Sequence, residues 1–76
     1  MATIQVYKYN TDILLGTGTG TVDKKAQTAR VDAWSQKPGL QLDTKYKLKA
    51  DNVTYTDTTC TAINPAPPLA TFDNVA

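Results

Sequence analysis

The chain has no histidine and no glutamate, and only one cysteine and one arginine. Each shortage excludes something. A lone Cys60 rules out an internal disulfide framework, and without His or a second Cys no Cys/His zinc module can be assembled. General acid–base work falls mainly to His or to a carboxylate tuned by burial or pairing. Here all seven acids are Asp, and Asp12, Asp23, Asp43, Asp51 and Asp73 stand in turn-like stretches, with Asp32 and Asp57 at solvated strand positions. Cys60 has no His to generate a thiolate and reads as a small buried hydrophobe. A Glu/Lys-rich helical bundle is excluded by the missing Glu. No catalytic residue, cofactor or metal is expected, and the chain reads as a non-enzyme.

Neither sign of charge is in excess. Eight basic and seven acidic residues leave a net charge of +1, too balanced for the electrostatic footprint of a nucleic-acid binder. Seven of the bases are Lys, so Arg30 is the one side chain suited to bidentate recognition. The longest apolar run is Ile13-Leu14-Leu15, against the ~18 residues that a membrane span needs. Met1–Val6 has neither the basic region nor the apolar stretch of a secretory leader. The expected partners include neither nucleic acid nor membrane.

Threonine is what the chain has in quantity, thirteen of 76 residues. With Val, Ile and Tyr it favours a pleated surface. A first strand is expected over residues 3–9, where Ile4 and Val6 alternate with Gln5 and Tyr7. Asn10-Thr11-Asp12 is a turn cluster. Residues 13–22 read as a second strand with Gly16, Gly18 and Gly20 on one face and Thr17, Thr19 and Thr21 on the other. Gly16–Gly20 lacks the following helix and the Gly-Lys-Ser/Thr ending of a phosphate loop. Its bare face suits a backbone or an aromatic ring lying flat on it, and Trp34 is the candidate ring.

A third strand is expected over 26–34, with Ala29, Val31 and Ala33 opposite Thr28, Arg30, Asp32 and Trp34. A helix over 24–34 is the rival, disfavoured by β-branched Thr28 and Val31. Lys37-Pro38-Gly39 reads as a turn in which Gly accepts positive φ. In the stretch 40–62, Asp51-Asn52 is the expected two-residue turn of a hairpin. That register pairs Ala50 with Val53, Leu48 with Tyr55 and Tyr46 with Asp57 on one face. It pairs Lys49 with Thr54, Lys47 with Thr56 and Lys45 with Thr58 on the other, with a bulge expected near Thr58-Thr59. Asn52-Val53-Thr54 matches a glycosylation sequon at the hairpin tip and reads as a chance match.

The composition changes at Asn64, with three Pro in the next four residues. Residues 64–76 read as an extended, Pro-rich C-terminal arm carrying Leu69, Phe72 and Val75, and residues 1–63 as the β domain. The expected fold is all-β: a small antiparallel sandwich or partly open barrel of about five short strands. A core this small supplies only ~3–5 kcal/mol of net stability and gains from burial against a neighbour.

The functional expectation follows from that shortage. It is a structural accessory protein that binds a larger protein assembly, or copies of itself, in multiple copies, most concretely as a viral capsid decoration or cement protein. Leu69, Phe72 and Val75 would anchor on the neighbour, and Tyr7 and Tyr9 would lie on a first strand whose edge extends a neighbouring sheet. The location would then be the virion, and otherwise the cytoplasm. The alternative is a small binding module recognising a glycan or peptide through Trp34 and Arg30 with Tyr7 and Tyr9.

Overall fold

A computed structural model describes residues 2–75 as six antiparallel strands without a helix. They are β1 (Ala2–Lys8), β2 (Leu14–Asp23), β3 (Thr28–Gln36), β4 (Lys45–Ala50), β5 (Val53–Ile63) and β6 (Ala70–Asp73). The spatial order is β1-β2-β3-β6-β5-β4, and β4 pairs back onto β1, so the sheet closes into a barrel. The all-β expectation holds, with closure complete and a sixth strand added. No helix among the described residues is long and apolar enough to cross a membrane. β1 is paired on both sides, which corrects the expectation of a free edge at the first strand.

Inside the barrel, Ile4 and Val6 of β1, Ala29 and Val31 of β3, and Leu48 of β4 are buried, as the period of two requires. The wall beside β3 presents only hydrogen atoms at three inward positions. Gly16, Gly18 and Gly20 of β2 face inward, and β3 leans over them. A Cβ on Gly18 would stand 2.6 Å from the Ala33 carbonyl oxygen and 2.8 Å from Cε3 of Trp34. One on Gly16 would stand 2.6 Å from Cδ of Pro38, and one on Gly20 would collide with the Arg30 carbonyl. The expected match of bare glycine face to Trp34 ring is therefore present.

The face that Trp34 occupies is the opposite of the one expected. The β2–β3 register slips at Thr19/Gly20 and again at Thr17/Gly18, so Gly20 faces Val31 but Gly18 faces Trp34. Each slip adds a residue to β3, and one extra residue moves the following side chains to the other face. Ala33 is thereby exposed, while Trp34 joins Val31 against the core. The strand also starts later than expected, at Thr28. The Asp23 carboxylate accepts the amides of Lys25 and Ala26 at 3.0 Å each, holding the chain in a turn through Gln27. Gly39 does not take positive φ, and Pro38 is buried instead of standing out as a turn tip.

The hairpin forms on Asp51-Asn52, both at positive φ, with Ala50 opposite Val53, Lys49 opposite Thr54 and Leu48 opposite Tyr55. Further along, Tyr46 faces Thr58 and Lys45 faces Thr59, one residue beyond the expected pairs. The bulge lies between Tyr55 and Thr58, nearer the turn than expected. It turns Thr58 inward, fully buried, with its hydroxyl donating to the Tyr46 carbonyl at 2.6 Å. Tyr46 meets Phe72 edge to face, ring centroids 6.3 Å apart.

Phe72 marks the main correction. The expected 64–76 arm is not separate from a 1–63 domain over its described residues, 64–75; Ala76 lies outside them. Residues 70–73 are β6, inserted between β3 and β5 with Ala29 opposite Phe72 and Ile63 opposite Ala70. Phe72 and Val75 are buried in this chain's own core. The Val75 amide donates to the Gln27 carbonyl at 2.9 Å, which places Val75 at the barrel end that carries the β2–β3 turn. The Pro-rich stretch is the β5–β6 connection. Asn64 donates its amide to the Leu69 carbonyl at 2.9 Å, and Leu69 donates to Val31 at 2.7 Å. The physical reason is that β3 and β5 without β6 would expose two unpaired edges and an open core.

Two stability outcomes follow. Gly18→Val should lower unfolding stability by ~1–3 kcal/mol through overpacking. Gly39→Ala, with nothing within 4 Å of the new methyl, should stay within ~0.5 kcal/mol of the parent. Urea midpoints compare them, and an unchanged midpoint for Gly18→Val would contradict the close β2–β3 contact. Phe72→Ala should cost about 3–5 kcal/mol, a large part of the roughly 4–11 kcal/mol that a chain of this length holds. Thermal melts of Phe72→Ala against exposed Asp73→Ala check it; equal melting temperatures would mean that β6 is not part of the core.

Candidate functional site

Strand direction alternates around the barrel, so three connections emerge at one end: residues 9–13, 37–44 and 64–69. The β2–β3 and β4–β5 turns occupy the other end. Exposed large apolar side chains are unevenly divided between the two. Among the described residues Tyr9, Ile13, Leu14, Leu42 and Ile63 lie in or beside the three-loop end, with Ile13 57% and Leu42 55% exposed, and Val53 lies at the other. The cause is local. Turn hydrogen bonds from Thr11 to the Lys8 carbonyl and from Lys8 to the Ile13 carbonyl fix the 9–13 loop without burying Ile13. Leu42 sits in a loop tied down by its neighbour, since the Asp43 amide donates to the Cys60 carbonyl at 2.8 Å.

Two clefts open among these loops. One, about 450 Å³, is lined by Trp34, Pro38, Leu40, Ile63, Pro65 and Leu69, with Lys37, Gly39 and Asn64 completing its wall. The other, about 500 Å³, is polar and lined by Tyr9, Asn10, Thr11, Asp12, Lys47, Thr56 and Asp57. In the polar cleft the groups satisfy one another. Lys47 pairs with Asp12, and the Tyr9 hydroxyl donates to Asp57 at 3.3 Å. The Lys47 ammonium holds the Asp12 carboxyl below its ordinary value, through the hydrogen bond first and its charge second. Asp12 is thus a weaker base than a free Asp. Asp12 is exposed although the Lys47 side chain is largely covered, so water screens the pair from the Asp12 side and it adds little to stability.

Of the four residues expected to form one aromatic and cationic patch, Tyr7 and Tyr9 stay close, each beside Asp12 and Lys47, while Trp34 and Arg30 lie apart from them. Trp34 faces the barrel interior at the mouth of the apolar cleft. Arg30 is on the outer face with both Nε and Nη2 donating to one oxygen of Asp32, at 3.2 and 3.0 Å. Tyr7 is half-buried, its hydroxyl donating to Gln5 at 3.1 Å and its ring beneath Lys47 at 5.1 Å; Tyr9 lies under Lys45 at 5.6 Å. Arg30 pairs with Thr21 and Tyr7 with Leu14, seven residues apart along β2, which is roughly 23 Å at ~3.3 Å per residue. Of the three expected arm anchors, Leu69 lines the apolar cleft half-buried, while Phe72 and Val75 are inside the barrel. Leu40, Leu42 and Ile63 were not among the expected site residues. Their signal was an apolar residue within or beside a polar stretch, such as Leu42 between Gln41 and Asp43.

Among the described residues no three of His, Cys, Asp and Glu stand close enough to hold a metal ion. Cys60 is fully buried, and that burial pushes its thiol above the ordinary value. No protein-family model, curated protein or solved structure matches the chain.

The raised thiol gives a pH outcome. An unfolded Cys loses its proton near ~8.5, whereas folded Cys60 keeps it to higher pH. Above that point the folded state binds more protons than the unfolded, so stability falls as pH rises, by at most ~1.4 kcal/mol per unit. The slope of unfolding free energy from pH 8.5 to 10.5 should therefore be steeper for the parent than for Cys60→Ala. Equal slopes would contradict the buried thiol.

Proposed function

We propose that the protein is a non-enzymatic accessory subunit that attaches through its three-loop end to a larger protein assembly in multiple copies. A viral shell that it decorates is the concrete form. The supporting observation is the segregation of exposed apolar side chains among the described residues: five at the three-loop end, Val53 at the other. Exposed apolar residues scattered singly call for no explanation, but their concentration on one face marks an interaction surface.

Magnitude favours many copies over one tight contact. The molecule measures 27 × 27 × 22 Å, so one end presents roughly 500 Å² in plan, short of the ~800 Å² per partner of a standard interface. Single copies then bind weakly, and retention depends on several acting together. Attachment is by the barrel end, not by an arm, because Phe72 and Val75 are committed to the core. The glycan or peptide reading keeps Tyr7 beside Tyr9 but loses Trp34 and Arg30 from their patch, which weakens it.

In material from its source, the protein should sediment with a large particle. Ile13→Asp combined with Leu42→Asp should release it to the 8.2 kDa fraction with an unchanged unfolding midpoint. Parent protein that sediments free at its natural concentration would overturn the reading.

A further inference from the structure

We propose that the cleft beside Trp34 is a binding site for a small ligand with an apolar body and one carboxylate. The body is specified by the lining. Trp34, Pro38, Leu40, Ile63, Pro65 and Leu69 enclose about 450 Å³, within the ~300–1,000 Å³ range of small-molecule sites. The charge is specified by Lys37, the one charged residue of the lining. Among the described residues only Lys47 and Arg30 have ion pairs, so Lys37, like the other lysines, is left without one.

The remaining polar groups narrow the ligand further. Asn64 and the indole N–H of Trp34 are the other polar side-chain groups of the wall, and Asn64 donates one amide hydrogen to the Pro68 carbonyl at 3.1 Å. Pro38 and Pro65 bring no backbone N–H to the wall. A sugar, which presents many hydroxyls, would leave most of them without partners here. A phosphate dianion would meet one ammonium where it needs several donors. A monocarboxylate matches the single cation, and its hydrocarbon part matches the rest.

The site is formed before any ligand arrives. The 64–69 wall is held by the Asn64–Leu69 and Leu69–Val31 backbone bonds, at 2.9 and 2.7 Å, and Trp34 is held against Gly18. Little ordering is left to oppose binding. Ile13 and Leu42 are not part of this cleft, whereas Ile63 belongs both to its lining and to the attaching end, so the two readings are tested at different residues.

Trp34 is the only tryptophan, so its emission reports on the cleft, and the amide shifts of Gly39 and Leu40 report binding even where emission is silent. Octanoate and its uncharged analogue octanol are titrated into the full chain. Octanoate should give saturable changes in both signals, with octanol at least several-fold weaker. Lys37→Gln, an exposed substitution, should weaken octanoate roughly tenfold, as for loss of one charge-assisted hydrogen bond, and leave octanol unchanged. No saturable change in either signal overturns the site. Equal affinity for octanoate and octanol, or octanoate binding indifferent to Lys37→Gln, overturns the carboxylate assignment. Failure here leaves the sedimentation of Ile13→Asp/Leu42→Asp unaffected, so the two readings fail separately.

Discussion

The structure depends on one contact, the approach of β3 to the glycine face of β2. Six strands close into a barrel 27 Å across at its widest, and the interior has no room for side chains from every inward position. Three consecutive inward positions of β2 carry none. The space they vacate admits the Arg30 and Ala33 carbonyls and the Trp34 ring. The same approach is accommodated by the two bulges of β3, which bend that strand over its neighbour. Glycine spacing, strand curvature and the placement of the only tryptophan are therefore one feature.

Closure explains how so short a chain with a single cysteine reinforces its own sheet. A sheet with two free edges exposes unpaired backbone groups along both; a barrel has none. β6 contributes four residues, yet it pairs with β3 and β5 simultaneously and inserts Phe72 against Tyr46. Val75 then lies buried at the far end. The reinforcement that seemed to require a neighbour comes from the chain's own last residues. What is left for a neighbour is the three-loop end, where turn geometry keeps apolar side chains out of the core.

Legibility in the sequence tracked the range of the interaction that decides each feature. The Asp51-Asn52 turn and its first three pairs were readable, because turn conformation and the alternation of Ala50, Leu48, Val53 and Tyr55 act over a few residues. The meaning of the glycine face was readable for the same reason. The bulges were not, since nothing local distinguishes Asp32 and Ser35 from ordinary strand residues; the need for them arises from the wall they pack against. β6 was hidden by its length and by the prolines before it. Four residues, Ala-Thr-Phe-Asp, carry little periodicity, and only two waiting edges make them a strand. The candidate patch failed through the bulges as well: a shift of one residue took Trp34 off the face it would have shared with Arg30.

That shift has a functional consequence. Had β3 kept a strict period of two, Trp34 would stand outside among the Thr and Lys of the outer wall, and Ala33 would cap the barrel mouth. The slip at Thr19/Gly20 exchanges them. The ring at the mouth is only partly covered, and Pro38 and Leu40 of one loop and Leu69 of another line a cleft with it. The cleft is thus a product of barrel construction, the place where a partly covered ring meets the loops at the barrel mouth. Pro38, fitted against Gly16, and the 64–69 loop, tied to Val31, hold its two walls apart. The glycine face that lets the barrel close is accordingly also what places an apolar opening, with Lys37 at its side, on the end of the molecule that carries its exposed apolar residues.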